Sequence, residues 1–355
     1  MKISSYPLLL LLSFFYLACR TSDPEPPAPE PWKEVPAFTY FFRNAISSGV
    51  WDDQLYVLTE YTLSEVQPDG SALHRSLPYR ARVPLPLTRD YLVLYQALPG
   101  GLLFVPTERP DADPEDRVFL SFDSLGYGNA NTMEQHLSKL NVAVNSKGQL
   151  LLPLKNEREE EALFLFNVQL SVDRQRVEEV RFQKIEDYPD FAHTSSVQLM
   201  GDDFLVGLVS QQGYSFKVYP DGQTQKVSED PIYKVYPATD KWYAWGSPGG
   251  TYFSEDDGET WTWVADSPVS FGIPDITIMK GYSTFNNRRV TWNSVNLYEL
   301  TERSDQPGFR HRPLNTEGLS GHILLELREW RGHVYAITPS GVFSRGLEDF
   351  FTEAN

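Results

Sequence analysis

The sequence predicts an all-β fold, a β-propeller of seven four-stranded blades whose ring is closed by strands from the two chain ends. Three observations carry this expectation: evenly spaced apolar runs, an aromatic-rich composition and recurring hairpin chemistry. A polar or glycine turn followed by a short apolar or β-prone run recurs at Leu55, Leu102, Leu150, Phe204, Trp242, Val290 and Val334, with a mean spacing of 46.5 residues. Most of these runs have one β-rich stretch upstream, such as 196–200 or 232–236, and another downstream, such as 163–168 or 251–254. Four strands in a unit of that length is the size of a propeller blade. Seven such units fill residues 37–355, whereas six or eight blades would need averages near 53 or 40 residues.

The composition agrees. Aromatic residues make up 14% of the chain, with 19 Tyr and 21 Phe, and aromatics favour strands. No long amphipathic helix is visible, and residues 131–140 are the best short candidate. Pro68-Asp69-Gly70 and Pro220-Asp221-Gly222 place the same turn chemistry at the outer hairpin of two units. Residues 38–42 read as a strand without a local partner, while the last unit runs out of length after Phe351. Pairing the two would close the ring and remove two exposed edges.

Residues 254–261 read Ser-Glu-Asp-Asp-Gly-Glu-Thr-Trp. Gly258 suits the positive φ of a tight hairpin, and Ser254 and Asp256 supply short oxygen acceptors for nearby backbone N–H groups. Thr260 and Trp261 open the returning strand, where alternation places Trp261 and Trp263 on one side. Trp261 is positioned to pack under the turn and tie the hairpin to a neighbouring sheet. The octad fits Ser-x-Asp-x-Gly-x-Thr-Trp and resembles the Asp-box, or BNR repeat, whose carriers are overwhelmingly β-propellers. That resemblance implies a folding device and no catalytic role for these residues. Ser121-Phe-Asp-Ser-Leu-Gly126 looks like a decayed copy, and Ser340-Gly-Val-Phe-Ser344 echoes the approach to the box.

The N-terminus has the form of a secretory leader. Lys2 gives a positive start, residues 6–17 are almost wholly apolar, and Ala18-Cys19 follows. The apolar stretch is short for a spanning helix. Tyr16-Leu17-Ala18-Cys19 resembles a bacterial lipobox, although Tyr16 replaces the usual Leu, and Cys19 is the only cysteine of the chain. The resemblance implies lipidation of Cys19, and Arg20 after it resembles sorting to the outer membrane. Prolines at 24, 26, 27, 29 and 31 favour an extended, semi-rigid spacer. The expected organisation is a signal peptide over 1–18, a lipid-bearing tether over 19–36 and a propeller over 37–355.

Charge and cysteine usage narrow the function. The formal charge is −17, and loss of the leader removes Lys2 alone, which argues against nucleic acid and against docking on anionic lipid. With Cys19 spent on lipid, no thiol nucleophile or disulfide remains. No cofactor is expected, and the chain is expected to be a monomer held to the membrane by its lipid. Two acidic segments are candidate partner sites: Glu108, Asp111, Asp113, Glu115 and Asp116 in one unit, and Glu157, Glu159, Glu160 and Glu161 in the next. Read as loops between second and third strands, they would share the rim around the channel and bind Ca²⁺ or a basic partner. A metal role remains open, because their spacing matches no EF-hand.

The resemblance to Asp-box propellers also brings in sialidases, which imply three arginines, a Tyr nucleophile and a Glu that activates it. Phe42-Arg43-Asn44-Ala45 stands where that family has Phe/Tyr-Arg-Ile-Pro, so Arg43 matches while Ile-Pro is replaced. The other two arginines, the Tyr and the acids have no assignable positions, and no catalytic residue is named. No Gly-x-Ser-x-Gly, phosphate loop or His-Glu-x-x-His is present, and the six histidines show no metal-ligand spacing. Arg310-His311-Arg312 reads as a solvated strand face. Trp242, Trp245 and Trp292 fit packing between blades better than sugar stacking.

The expected protein is a cell-envelope lipoprotein whose non-catalytic propeller binds a protein or glycan through loops on one rim. A sialidase-like glycoside hydrolase is the alternative. Labelling cells with radioactive palmitate is expected to mark the wild-type chain and leave Cys19→Ala unlabelled; equal labelling of both would remove the anchor.

Overall fold

The computed structural model describes residues 29–39, 44–83, 85–97, 100–126, 142–156, 158, 160–186, 188–189, 192–209, 213–247, 250–265, 280–305 and 307–354. Cys19, Arg43 and the helical candidate 131–140 fall outside the described residues. One compact unit runs from Pro31 to Asn355. It is all-β and consists of seven antiparallel blades in sequence order. Six are four-stranded sheets, and the second blade is a three-stranded sheet with an isolated bridge, Leu87 to Leu92, in place of its first strand.

First strands line the axis. They are Ala45–Trp51, Ala143–Val144, His193–Met200, Ile232–Pro237, Gly281–Phe285 and Glu326–Trp330 in blades 1 and 3 to 7. Turns between first and second strands, and between third and fourth, emerge on what we term the lower face. Turns between second and third strands, and the connections between blades, emerge on the upper face.

Packing follows from period-2 alternation. Blade 3 shows it plainly in Gln149–Lys155 and Glu161–Leu170. Leu150, Leu152, Leu154, Phe164 and Phe166 pack on blade 2, while Leu151, Leu163 and Leu165 pack on blade 4. Among the described residues there are seven buried apolar clusters, one for each of the seven junctions between blades. Each sheet is therefore a core element on both faces.

The ring closes through the chain ends, as the sequence predicts, but with a different strand. Lys33–Glu34 pairs antiparallel with Gly341–Gly346 and supplies the fourth strand of blade 7. The expected strand at 38–42 is not the partner: Pro36–Phe38 is a 3₁₀ turn, and 40–43 lie outside the described residues. The reason is Trp32, which is only 4% exposed and sits edge-on to Phe350 at 5.8 Å. Its backbone N–H donates to the carbonyl of Glu317 at 2.9 Å. Burial of the indole seats the chain one segment earlier than the apolar pattern implies, inside the stretch expected to be tether.

The inner seam between blades 7 and 1 is polar and fully paired. Glu326 accepts from the Ser48 N–H at 2.8 Å, the Ser48 hydroxyl at 2.6 Å and the Ser47 hydroxyl at 3.2 Å. Arg328 donates to the Ser48 carbonyl and to Glu326, both at 3.0 Å. Below them the Trp330 indole donates to the Asp53 carbonyl at 3.0 Å.

Deleting residues 1–30 is expected to leave the urea midpoint unchanged. Deletion through Glu34 is expected to cost about 3–5 kcal/mol from the lost Trp32 alone; equal midpoints for the two truncations would show that this strand does not close the ring.

Candidate functional site

The structure places the two acidic segments on opposite faces. Residues 107–117 join Gly101–Pro106 to Val118–Ser121, the third and fourth strands of blade 2, and so lie on the lower face. Glu108 there accepts from Gln175 at 2.8 Å, and Gln175 belongs to the third-to-fourth turn of blade 3. Asp113 and Asp116 flank Arg109 at 3.8 and 3.4 Å, while Asp111 and Glu115 are exposed. The shared rim expected from the sequence is therefore corrected. Its physical cause is the stretch Val83-Pro-Leu-Pro-Leu87, where each proline lacks the N–H that a ladder needs. The first strand of blade 2 shrinks to one bridge, and every later strand of that blade is displaced by one place.

The segment 156–160 does join second and third strands, on the upper face. Glu160 is exposed and bonded to Asn156 at 2.7 Å, and Glu157 and Glu159 fall outside the described residues. Glu161 is not a rim acid. Its side chain is fully buried, and it accepts from the Tyr188 hydroxyl and the Thr194 N–H, both at 2.6 Å. It joins blade 3 to the first strand of blade 4. Burial, with the Glu161 charge second, drives the Tyr188 hydroxyl pKa far up. Among the described residues no group of three or more His, Cys, Asp or Glu side chains is arranged to hold a metal.

The turn at 254–261 lies between the third and fourth strands of blade 5, with Gly258 at φ +83°. The Ser254 hydroxyl accepts from the Gly258 N–H at 2.8 Å and donates to Asp256 at 2.8 Å. Asp256 also accepts from the Thr260 N–H at 2.9 Å and the Thr260 hydroxyl at 2.6 Å. Burial raises the Asp256 pKa, but bonds from Thr260 and Ser254 outweigh it and hold the carboxyl below its ordinary range. The turn also staples two blades. Glu259 meets Lys217 of blade 4 at 2.6 Å, and Asp203 meets the same ammonium at 3.3 Å. Trp261 packs on the cluster between blades 4 and 5, whereas Trp263 is 49% exposed on the outer strand rather than beside it.

Pro68-Asp69-Gly70 and Pro220-Asp221-Gly222 occupy the same turn in blades 1 and 4. Ser121-Phe-Asp-Ser-Leu-Gly126 does not; it follows the outer strand of blade 2 as a 3₁₀ turn over Asp123–Leu125. Trp292 packs between blades 6 and 7, and Arg312 is bound to Glu299 at 2.6 Å, so both are structural.

Two features were not singled out by sequence. On the upper face, Tyr61 and Tyr79 are 54% and 53% exposed. Arg80 makes two bonds to Glu60, at 2.9 and 3.1 Å, and lies 5.6 Å from the Tyr61 ring. Backbone bonds Ala81 to Glu60 and Leu77 to Tyr61, both 2.8 Å, pin the connection to the turn.

The second feature is a cavity of about 440 Å³ in the central channel, between the inner strands of blades 3 to 6. Lys234 lines it. A register shift between Ile232 and Lys234 marks a bulge in this inner strand, and bulges re-aim side chains. The Lys234 ammonium donates to the carbonyl of Lys280 at 3.3 Å. Among the described residues no Asp or Glu lines the cavity, and burial pushes the Lys234 pKa down to about 8.

No family model and no curated protein matches the chain. Solved structures do. The chain is similar to PorZ of Porphyromonas gingivalis, a bacterial surface component of the type-IX secretion system, at 10% identity and TM-score 0.48, over 92% of this chain and 39% of that one. It is similar to YCF48 bound to D1 peptide at 12% identity and TM-score 0.47, over 89% and 97% of the two chains. It is similar to BamB from Moraxella catarrhalis at 12% identity and TM-score 0.43, over 86% and 83%. These are likenesses of fold.

A lysine with a lowered folded pKa binds fewer protons than the unfolded chain between about pH 8 and pH 10.5, so its contribution to stability rises with pH across that window. Lys234→Met is therefore expected to stabilise the protein at pH 7 by about 1–3 kcal/mol, with the gain shrinking by pH 10.5. Urea unfolding of both forms at the two pH values checks this; a destabilised variant at pH 7 would refute it.

Proposed function

We propose that this chain is a non-enzymatic propeller, tethered at the cell envelope through lipidated Cys19, that binds a protein or glycan partner through its upper face. The observation that carries the binding reading is the cluster of Tyr61, Arg80 and Tyr79. The Tyr61 ring lies beside a guanidinium held by two bonds to Glu60, and Tyr79, half-exposed like Tyr61, precedes Arg80 in the same connection. Tyrosine and arginine held rigid on a surface lose little entropy on binding, and these residue types dominate binding hot spots. Further round the same face, Val295 and Ile323 are 55% and 49% exposed, and a 2.9 Å bond from Leu324 N–H to Ser294 carbonyl brings their segments together. The envelope address rests on the leader and on Cys19 in the sequence.

A hydrolase reading draws on the pairing of Tyr188 with Glu161, because a Tyr and a Glu are what the sialidase resemblance requires. The geometry favours a structural role for the pair. Glu161 is also committed to the Thr194 N–H, and the raised pKa of Tyr188 makes its oxygen a poor nucleophile. The acids at 108–116 belong to the lower face and contribute a solvated, partly self-paired surface.

Pull-down from an envelope fraction is expected to recover partners with the wild type and to lose them, by about tenfold or more, with Tyr61→Ala/Tyr79→Ala. Neutralising Asp111, Asp113 and Glu115 is expected to change little. The reverse pattern would move the binding face to the acidic loop.

A further inference from the structure

The channel cavity is furnished for an anion. Its lining carries the Lys234 ammonium beside the Lys280 carbonyl, and among the described residues no carboxylate lines it. Gln198 adds a second donor beside the Lys234 ammonium: its carbonyl oxygen accepts from the Val235 N–H at 2.8 Å, which leaves its buried Nε2 without a partner among the described residues. This is a donor-rich site inside a chain whose formal charge is −17. By contrast, Lys217, which is also withdrawn into the fold, has Glu259 and Asp203 beside it, and those bonds hold its pKa up against burial. The cation in the channel has the Lys280 carbonyl and, among the described residues, no counter-charge.

The walls narrow the class of anion. Val142, Val144, Val197, Tyr236, Trp242 and Tyr282 line the same space, so most of the surface is apolar or aromatic. At about 440 Å³ the volume is within the range for small-ligand sites, and a bare inorganic ion would leave those walls unfilled. One unpaired ammonium and one unpaired amide N–H suit a carboxylate. A phosphate dianion calls for more donors or an arginine fork.

We propose that the central channel binds a carboxylate borne on an apolar or aromatic body, with Lys234 as counter-ion and the Gln198 amide as hydrogen-bond donor. The ligand's body lies against Trp242 and the flanking tyrosines. This site is separate from the upper-face cluster, so each stands or falls without the other. The carboxylate has two possible sources, a free organic acid or the side chain of an acidic peptide.

Calorimetric titration of the full-length protein at pH 7 separates them. The probes are 4-phenylbutyrate and N-acetyl-Phe-Glu-amide, each against its neutral counterpart, 4-phenylbutyramide and N-acetyl-Phe-Gln-amide. At least one acid is expected to bind with a Kd below about 1 mM and about tenfold more tightly than its amide. Preference for the first acid identifies a free acid as the source, and preference for the second a peptide. Lys234→Met is expected to abolish the discrimination between acid and amide while retaining the fold, as judged by circular dichroism. Equal binding of acid and amide, no binding of either acid, or unchanged discrimination in Lys234→Met would overturn the proposal.

Discussion

Every sheet in this protein is apolar on both faces, and that constraint dictates the rest of the structure. A strand such as Gln149–Lys155 sends Leu150, Leu152 and Leu154 one way and Leu151 the other, so blade 3 needs a neighbour on each side. An open row of such sheets would leave two apolar faces in water, at about 25 cal/mol for each Å² exposed. Only a closed ring satisfies all seven. The burden of closure falls on the junction where sequence neighbours are lacking, between blades 7 and 1. There Trp32 anchors the closing strand at the rim, and Glu326 with Arg328 locks Ser47 and Ser48 near the axis.

A ring built this way has an inner surface that the packing constraint leaves free. First strands turn one edge towards the channel, so side chains there answer to solvent and to one another rather than to a core. Charges accordingly meet different ends. Glu326 and Arg328 are consumed in the seam. Lys217, between blades, is neutralised by Glu259 from the turn of the next blade. Lys234 alone of these three cations faces a space lined by no carboxylate among the described residues. A buried charge without compensation is costly to the fold, so its presence points to a use outside folding.

The blade count was legible because period and alternation are properties of local sequence that packing rewards directly. The hairpin at 254–261 was legible for the same reason: Ser254, Asp256, Gly258 and Thr260 satisfy their turn locally, within a span of residues that sequence displays. What escaped was anything set by a partner strand. In blade 2 the order of strands escapes the apolar period because Tyr91–Gln96 is the second strand, the first having been cut to one bridge by the two prolines just upstream. The closing strand escaped because Trp32 sits among prolines, and its burial depends on Phe350 at the far end of the chain. Lys234 escaped because a bulge, invisible to strict alternation, re-aims it.

The same distinction bears on where function can reside. Lower-face turns spend their polar groups on themselves and on the adjacent blade: Asp256 on Thr260, Glu259 on Lys217, Asp113 and Asp116 on Arg109. Groups so committed cannot bind a ligand without first breaking bonds that hold the ring. The upper face and the channel contain the opposite condition. Tyr61 and Tyr79 are half-exposed, and among the described residues Lys234 has a carbonyl but no counter-ion and the Gln198 Nε2 has no acceptor. Rigid placement together with unspent valence is what binding requires, since the entropy of ordering is already met and the ligand supplies the missing partner. An acid there would supply the counter-charge that Lys234 lacks among the described residues, so the channel would respond to ligand charge even where the apolar walls contribute most of the contact area.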